Sequence, residues 1–381
     1  MSKRLMLVIV TALLVTGVLA SGCAAGPTPT TPTTPTTPTT PTTPTTPSQP
    51  AATVVTWEYQ DNQVAGATYY KYADNLFKRI EEASGGTFKI THYGLGEVVP
   101  YAENAPAVQA GLLDATQSGG GEMLGLLGPK AGLMGTSGFS AGPTAVENFG
   151  WYFMGDGMKY ANQLWEPYGY VMGYCAYGPE VWMSNKPLTT VGDLKGIKFR
   201  AYGPCTDVFA ALGASVVTIA GGELYQAVEK GIVDAYEIGG PDWNRTMGFH
   251  EVSTHVGTPG IHSPIGGGTH VLVNHDSWAA LPDDLKELWT EAWKATTLND
   301  YLDSLWKDAL ALEAWRDVDG MILYTLGDDL QSQFAAIARE QVLAHAASDP
   351  VYAEIFENQA AFVETFNTAY RTHPKYSVFY E

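Results

Sequence analysis

A fourteen-residue phrase occurs twice in this chain. Residues 107–120 read AVQAGLLDATQSGG and residues 227–240 read AVEKGIVDAYEIGG, and half of the paired positions are identical. In each copy a helical pattern ends at a glycine, Gly111 or Gly231, where a left-handed C-cap suits a residue without a Cβ. A short apolar strand follows, then Asp-Ala and a glycine pair at the strand's carboxyl end. Two similar helix–strand units predict two similar α/β lobes, each presenting a loop at its sheet edge. Ligands in open α/β sheets bind outside the carboxyl ends of strands, so facing lobes predict a cleft there. One difference between the copies carries chemistry: Gln117 in the first stands where Glu237 stands in the second.

The segments around the two copies support the same architecture. Strand-like runs at 54–58, 88–93 and 112–115 alternate with helical ones at 69–83 and 99–111. The second half repeats the rhythm, with strands at 181–184, 197–200, 215–219 and 232–236 and helices at 191–194, 207–212 and 223–230. This alternation points to parallel sheet flanked by helices. After Pro282 the pattern becomes mainly helical, most clearly over 285–306 and 330–347. The expected fold class is therefore α/β, two-lobed like the periplasmic binding proteins, with a ligand cleft between the lobes and C-terminal helices packing across both.

The N-terminal region fixes the expected compartment. Lys3 and Arg4 precede an apolar run from Leu5 to Leu19, and Ala20-Ser21-Gly22 leads into Cys23. That is the layout of a secretory signal whose cleavage leaves an N-terminal cysteine. It resembles the lipobox of bacterial lipoproteins, with Leu19 one place early, and makes Cys23 the expected lipid attachment. Pro27 to Pro50 is almost wholly Pro and Thr, a composition that buries nothing and favours extended polyproline geometry. At ~3.1 Å per residue it reaches roughly 70 Å. The expected division is a lipoprotein signal peptide over 1–22, a tether over 23–52, lobe I over 53–173 and lobe II over 174–262. Residues 263–381 then supply the crossover and C-terminal helices that complete both lobes. The expected location is extracytoplasmic, lipid-anchored to the bacterial cell membrane at the periplasm or cell surface.

Charge narrows the partners. Acidic residues outnumber basic ones 40 to 21, a formal charge of −19. Nucleic acid and anionic lipid surfaces both need a basic face, so neither is an expected partner. A small anionic ligand stays open, because one buried arginine outweighs a distant, screened acidic surface. Besides Cys23 the chain has Cys175 and Cys205, either disulfide-bonded outside the cell or two buried thiols. His250 and His255 in HEVSTH are five apart, whereas a helical zinc motif needs i and i+4. The runs at 119–121 and 266–268 are Gly-rich but lack dinucleotide spacing and a Walker lysine, so no nucleotide site is indicated.

At residues 184–200, SNKPLTTVGDLKGIKFR, the chain resembles the solute-binding proteins of TRAP transporters, the DctP-type family. Ala211-Leu212-Gly213-Ala214, Gly222-Glu223-Leu224-Tyr225 and Gly231-Ile232-Val233-Asp234-Ala235 continue the match in order, and Gly96-Glu97-Val98-Val99-Pro100 fits upstream. Glu237-Ile238-Gly239-Gly240-Pro241, Gly248-Phe249-His250 and Pro259-Gly260-Ile261-His262 resemble the branch that binds 2-oxo acids and lactate. The resemblance implies a non-enzymatic binding subunit that captures a small 2-oxo or 2-hydroxy acid for integral-membrane TRAP partners. It implies a metal ion, Na⁺ or Ca²⁺, beside the ligand, and allows a homodimer.

Four residues are the expected ligand contacts. Arg200 ends a predicted strand beside a small flexible loop, and its planar fork matches a carboxylate bidentately as lysine cannot. The resemblance assigns it that role. Glu237 follows a buried strand and precedes two glycines, which sets its carboxylate on the cleft wall. There it would repel a bound anion unless it accepts a ligand hydroxyl proton or shares a hard cation. The resemblance places a polar metal ligand near Glu180, and Ile238 stands where the branch usually has Trp, as the third metal-site position. Trp182 is the expected aromatic wall, among the candidates Trp57, Tyr59, Tyr101, Tyr177, Tyr236 and Trp243. The competing classes are a secreted glycoside hydrolase using Glu180 and Glu237 as its carboxylate pair, and a sensory module with the same cleft.

Overall fold

The computed structural model describes residues 53–135, 139, 144–219, 221–263 and 268–371. The expected leader, Cys23 and Pro/Thr tether fall outside these residues. The strands are β1 Val55–Gln60, β2 Phe88–Tyr93, β3 Ala115–Ser118, β4 Tyr170–Ala176, β5 Trp182–Ser184 and β6 Lys198–Arg200. They continue with β7 Ser215–Val217, β8 Ala235–Glu237, β9 His255–Thr258, β10 Gly268–Val273 and β11 Ile322–Thr325. They form two sheets, ordered β2-β1-β3-β10-β4 in lobe I and β11-β9-β5-β8-β6-β7 in lobe II.

The duplicated phrase corresponds to a duplicated sheet motif. β1 is the centre of a parallel trio with β2 and β3, and β6 is the centre of a parallel trio with β7 and β8. Each trio is then extended by an antiparallel strand lent from the other half of the chain. β10 enters lobe I between β3 and β4, and β5 enters lobe II between β8 and β9. The sheets are therefore mixed rather than parallel. The lent strands carry the chain between lobes, at 177–181 and again at 259–263 among the described residues.

A shared device sets where β3 and β8 begin. Asp114 Oδ2 accepts the Glu58 N–H at 2.8 Å while the Asp114 N–H donates to the Glu58 carbonyl at 3.0 Å. Asp234 makes the same pair of bonds with Lys198, both at 2.9 Å. A side chain thus fills a ladder position, and the strands start three residues later than the apolar runs from 112 and 232 suggest. The helices ahead of them, Asn104–Gln109 and Gly221–Glu229, stop before Gly111 and Gly231, whose φ values are +72° and +66°.

The long helix Asp283–Asp317 spans about 50 Å at 1.5 Å per residue. Its Trp289 and Trp293 enter the core beside Trp57, Phe77 and Phe88 of lobe I, while its Trp315 enters the core of lobe II. The helices Asp328–Ser348 and Pro350–Arg371 contribute Phe334, Val342 and Ile355 to a core shared with Trp151 of lobe I and Phe209 of lobe II. Cys175 and Cys205 are free, buried thiols on different lobes.

Candidate binding site

A cavity of about 310 Å³ lies at the carboxyl ends of β1, β3, β6 and β8, bordered by the crossing segments. That is at the lower end of ordinary small-molecule sites. Arg200 ends β6 and is 5% exposed. Its Nη1 donates to the Glu237 carbonyl at 2.6 Å and its Nε to the Ile219 carbonyl at 3.1 Å. Backbone groups of two loops thus fix the guanidinium, which also lies over the Tyr202 ring at 4.9 Å. Nη2 has no hydrogen-bond partner among the described residues.

Glu237 ends β8 and is held at both oxygens. Oε1 accepts the Tyr202 N–H at 3.2 Å and lies 3.5 Å from the Cys205 thiol. Oε2 is 2.8 Å from His262 Nε2, which also contacts Glu180 Oε2. Glu180 and His262 ride on the two crossing segments, which pair through the Glu180 N–H and the Ser263 carbonyl at 3.3 Å. The approach is so close that a Cβ on Gly260 would fall 1.9 Å from the Glu180 carbonyl oxygen. A glycine there is what lets His262 reach both acids.

The electrostatics follow from this triangle. Burial alone would lower the His262 pKa, but the charges of Glu237 and Glu180 outweigh it and raise it to about 10. His262 is therefore an imidazolium at neutral pH. Burial would raise Glu180 as well, yet the His262 charge and hydrogen bond pull its carboxyl down to about 2. Glu237, almost fully enclosed, moves the other way: burial raises it, and Glu180 adds to the rise against the pull of His262. Glu180, Glu237 and His262 bring polar atoms within 4.8 Å of one another, and a metal ion held there by the two carboxylates would take the place of the His262 charge.

Arg200, Glu180, Glu237 and Ile238 all line the cavity, so four expected positions converge. The Ile238 carbonyl is occupied by the Asn244 amide, and its side chain packs over Gly221. Trp182 does not join them. It is 0% exposed, between Phe199 at 5.1 Å and Phe209 at 5.3 Å, because β5 turns that side chain into the core of lobe II. The aromatic walls are instead Tyr69, Tyr101, Tyr177, Tyr202 and Trp243, with Tyr69 and Tyr177 stacked at 3.9 Å. Of the other candidates, Trp57, Tyr59 and Tyr236 are core. His262 is the residue that sequence reasoning missed as a site group. Its signal was the Pro-Gly-Ile-His run in a crossing segment, noted there only as a family motif.

The family model "Bacterial extracellular solute-binding protein, family 7", DctP, matches residues 61–349. The chain belongs to this family. A monocarboxylate 2-oxoacid-binding periplasmic protein of Nostoc sp. (strain PCC 7120) is 28% identical over 298 residues, covering 76% of this chain and 79% of that protein. A TRAP periplasmic solute binding protein of Colwellia psychrerythraea with bound calcium and pyruvate superposes with a TM-score of 0.73. It is 25% identical and covers 83% of this chain and 96% of its own. One of Pseudoalteromonas atlantica with bound sodium and pyruvate has a TM-score of 0.74 at 24% identity, covering 84% and 96%. The two-lobed fold is thus shared with both solved structures, and the DctP family is extracytoplasmic. Among the described residues no helix is long and apolar enough to cross a membrane.

Proposed function

We propose that this chain is the solute-binding subunit of a TRAP-type transporter that captures a small 2-oxo or 2-hydroxy monocarboxylate through Arg200. The observation that carries the reading is the guanidinium itself, buried at the cleft and fixed by two backbone carbonyls. Among the described residues lining the cavity, Arg200 is the sole arginine or lysine. His262 is already balanced by Glu180 and Glu237, so a second ligand carboxylate would find no free cation. The fork of Arg200 takes one carboxylate, and the tyrosine and tryptophan walls exclude water and strengthen that contact.

The relatives of Colwellia psychrerythraea and Pseudoalteromonas atlantica hold calcium or sodium with pyruvate. The carboxylates of Glu180 and Glu237 are hard oxygen donors of the type such cations take. A cation there would offset the two acids and receive ligand oxygens. The chain would be anchored through lipid on Cys23, with the Pro/Thr tether giving reach to the membrane subunits. Hydrolysis of a sugar is disfavoured: the two carboxylates meet on one imidazole nitrogen, closer than the ~5 Å or more that glycosidase pairs keep.

Thermal unfolding against a panel of organic acids and sugars, with and without Ca²⁺ or Na⁺, tests the reading. A ligand at a hundred times its Kd stabilises by about 2.7 kcal/mol. Stabilisation by a 2-oxo or 2-hydroxy acid, larger with the cation and lost in Arg200→Ala, is expected. A response to sugars alone, or an acid response that survives Arg200→Ala, refutes it.

A further inference from the structure

Asp308 lies on the inner face of the helix Asp283–Asp317 and is 6% exposed. Its Oδ1 accepts the Asp242 N–H at 2.8 Å, in the first turn of the helix Pro241–Thr246. Its Oδ2 is buried with no hydrogen-bond partner among the described residues. The carboxyl is wedged between two glycines. A Cβ on Gly178 would fall 2.2 Å from Oδ2, and one on Gly240 would fall 2.7 Å from Oδ2 and 2.8 Å from Oδ1. Gly178 is in the first crossing segment, two residues before Glu180, and Gly240 follows β8, three residues after Glu237. One side chain thus abuts the backbone that leads to each of the two cleft acids.

The wedge sits where the lobes meet. Thr68 of lobe I donates to the Asp242 carboxylate at 2.7 Å, and the Gly240 N–H donates to the Tyr69 hydroxyl at 3.2 Å. Tyr69 in turn stacks on Tyr177, the residue before Gly178. Turning one lobe on the other moves Gly178 and Gly240 past each other with Asp308 between them. We propose that Asp308 is a positioning residue for ligand capture, a wedge in the hinge that holds Glu180 and Glu237 in the arrangement that binds. It acts through the backbone, since it does not line the cavity.

The wedge works as the neutral acid. The titratable groups facing it are Asp242, Tyr69 from the helix Thr68–Ala83, and Tyr301 from its own helix. No lysine, arginine or histidine is among them. Burial holds the Asp308 carboxyl up at about 7, against the draw of the Asp242 N–H and with the Asp242 charge adding to the rise. A buried carboxylate without a counter-charge is costly, so opening the slot to water favours ionisation and shutting it takes up a proton. The contribution to closure is complete below the ordinary carboxylate range and is lost as pH rises through about 7.

Two readouts on the full chain in detergent test this, one with pyruvate as the probe and one without ligand. In calorimetry Gly178→Ala should weaken pyruvate at least tenfold, and adding Asp308→Ala should recover most of the loss, because the new Cβ then has space. Between pH 5 and 7 the wild type should lose about tenfold more affinity than Asp308→Asn, which keeps the shape and cannot ionise. Titration of Glu237 is common to both proteins and cancels. In the unliganded protein, amide exchange over 177–181 and 238–242, corrected for its intrinsic rate, should quicken over the same span in the wild type alone. A Gly178→Ala loss that Asp308→Ala does not relieve, or parallel pH profiles in the two proteins, overturns the proposal. Melting temperatures that shift across the set while affinity stays put would make the contact merely structural and overturn it too. The probe rests on the carboxylate reading above: a wild type blind to every 2-oxo and 2-hydroxy acid refutes that reading, and the exchange readout still decides on Asp308.

Discussion

Replacing His262 by alanine removes the imidazolium that Glu180 and Glu237 share. The rise of its pKa from 6.5 to about 10 corresponds to ~5 kcal/mol of preference for the charged form in the fold, at 1.36 kcal/mol per unit. Part of that is returned by Glu237, whose carboxyl is pushed upward by burial and by Glu180. Breaking a buried pair by removing one partner costs ~3–5 kcal/mol, because the other charge is stranded. A loss of about 3 kcal/mol is therefore expected for His262→Ala, or roughly 4–5 °C in Tm for a folded body of this size, at ~2.1 cal/mol/K of unfolding entropy per residue. Adding Glu237→Gln to His262→Ala should recover about half of it, since the stranded acid is then neutral.

The assay is thermal unfolding in sodium-free buffer with a chelator, across pH. His262 has a folded pKa above its unfolded one, so its contribution is complete below ~6.5 and is lost as pH rises through about 10. The wild type should lose Tm more steeply than His262→Ala between pH 7 and 10. Glu180 governs the other limb: its depressed carboxyl contributes above the ordinary carboxylate range, and that contribution is lost as pH falls through about 2. A His262→Ala cost below about 1 kcal/mol, or identical alkaline limbs in the two proteins, would refute the charge argument.

Arg200→Lys should lose most carboxylate affinity in calorimetry, because an ammonium cannot bind the Ile219 and Glu237 carbonyls and a carboxylate in one plane. Gly260→Ala should cost more than ~2 kcal/mol in denaturant unfolding, since the new Cβ would meet the Glu180 carbonyl at 1.9 Å. Trp182→Phe should leave ligand affinity within about twofold while lowering stability, as befits a core ring. Asp114→Ala and Asp234→Ala should each cost ~1–3 kcal/mol and by similar amounts, because each strips the acceptor from one strand N–H.

The parallel trios were legible because their strands are short apolar runs bounded by glycine and their helices end at Gly111 and Gly231. The strands β4, β9, β10 and β11 were not. β4 and β10 are buried along nearly their whole length, so they show no period-two alternation to separate them from helix. Their partners also lie across the chain: Thr269 pairs with Cys175 and Gly257 with Trp182, contacts that no local pattern encodes. Arg200 and Glu237 were legible because a strand end beside glycines sets a side chain on a cleft edge. The same logic misplaced Trp182, whose burial depends on Phe199 and Phe209 packing behind β5. His262 escaped because its partners arrive from a different crossing segment and from β8.

The register of the duplicated motif explains why Glu237 and Gln117 differ. Gln60 pairs with Thr116 in lobe I as Arg200 pairs with Tyr236 in lobe II, so Gln60 and Arg200 are counterparts, as are Gln117 and Glu237. Both lobes use the first residue to tie a neighbouring loop. Gln60 accepts the Val98 and Val99 N–H groups at 2.6 and 3.0 Å, and Arg200 donates to the Ile219 and Glu237 carbonyls. Lobe I fills both positions with neutral amides: Gln117 donates to Thr269 of β10 at 2.6 Å and to Tyr177 at the start of the crossing segment. Lobe II fills them with charges that keep one side toward the cleft. Concentrating the charges on one lobe has a consequence for closure. A carboxylate held by Arg200, as proposed above, would be compensated before lobe I closes, and lobe I would add only neutral walls such as Asn62, Tyr101 and Thr269. Closing would therefore bring no charge of lobe I into the site. On the reading proposed above, the closed state is favoured by the ligand through polar and apolar contacts alone, which is the differential affinity that hinge closure requires.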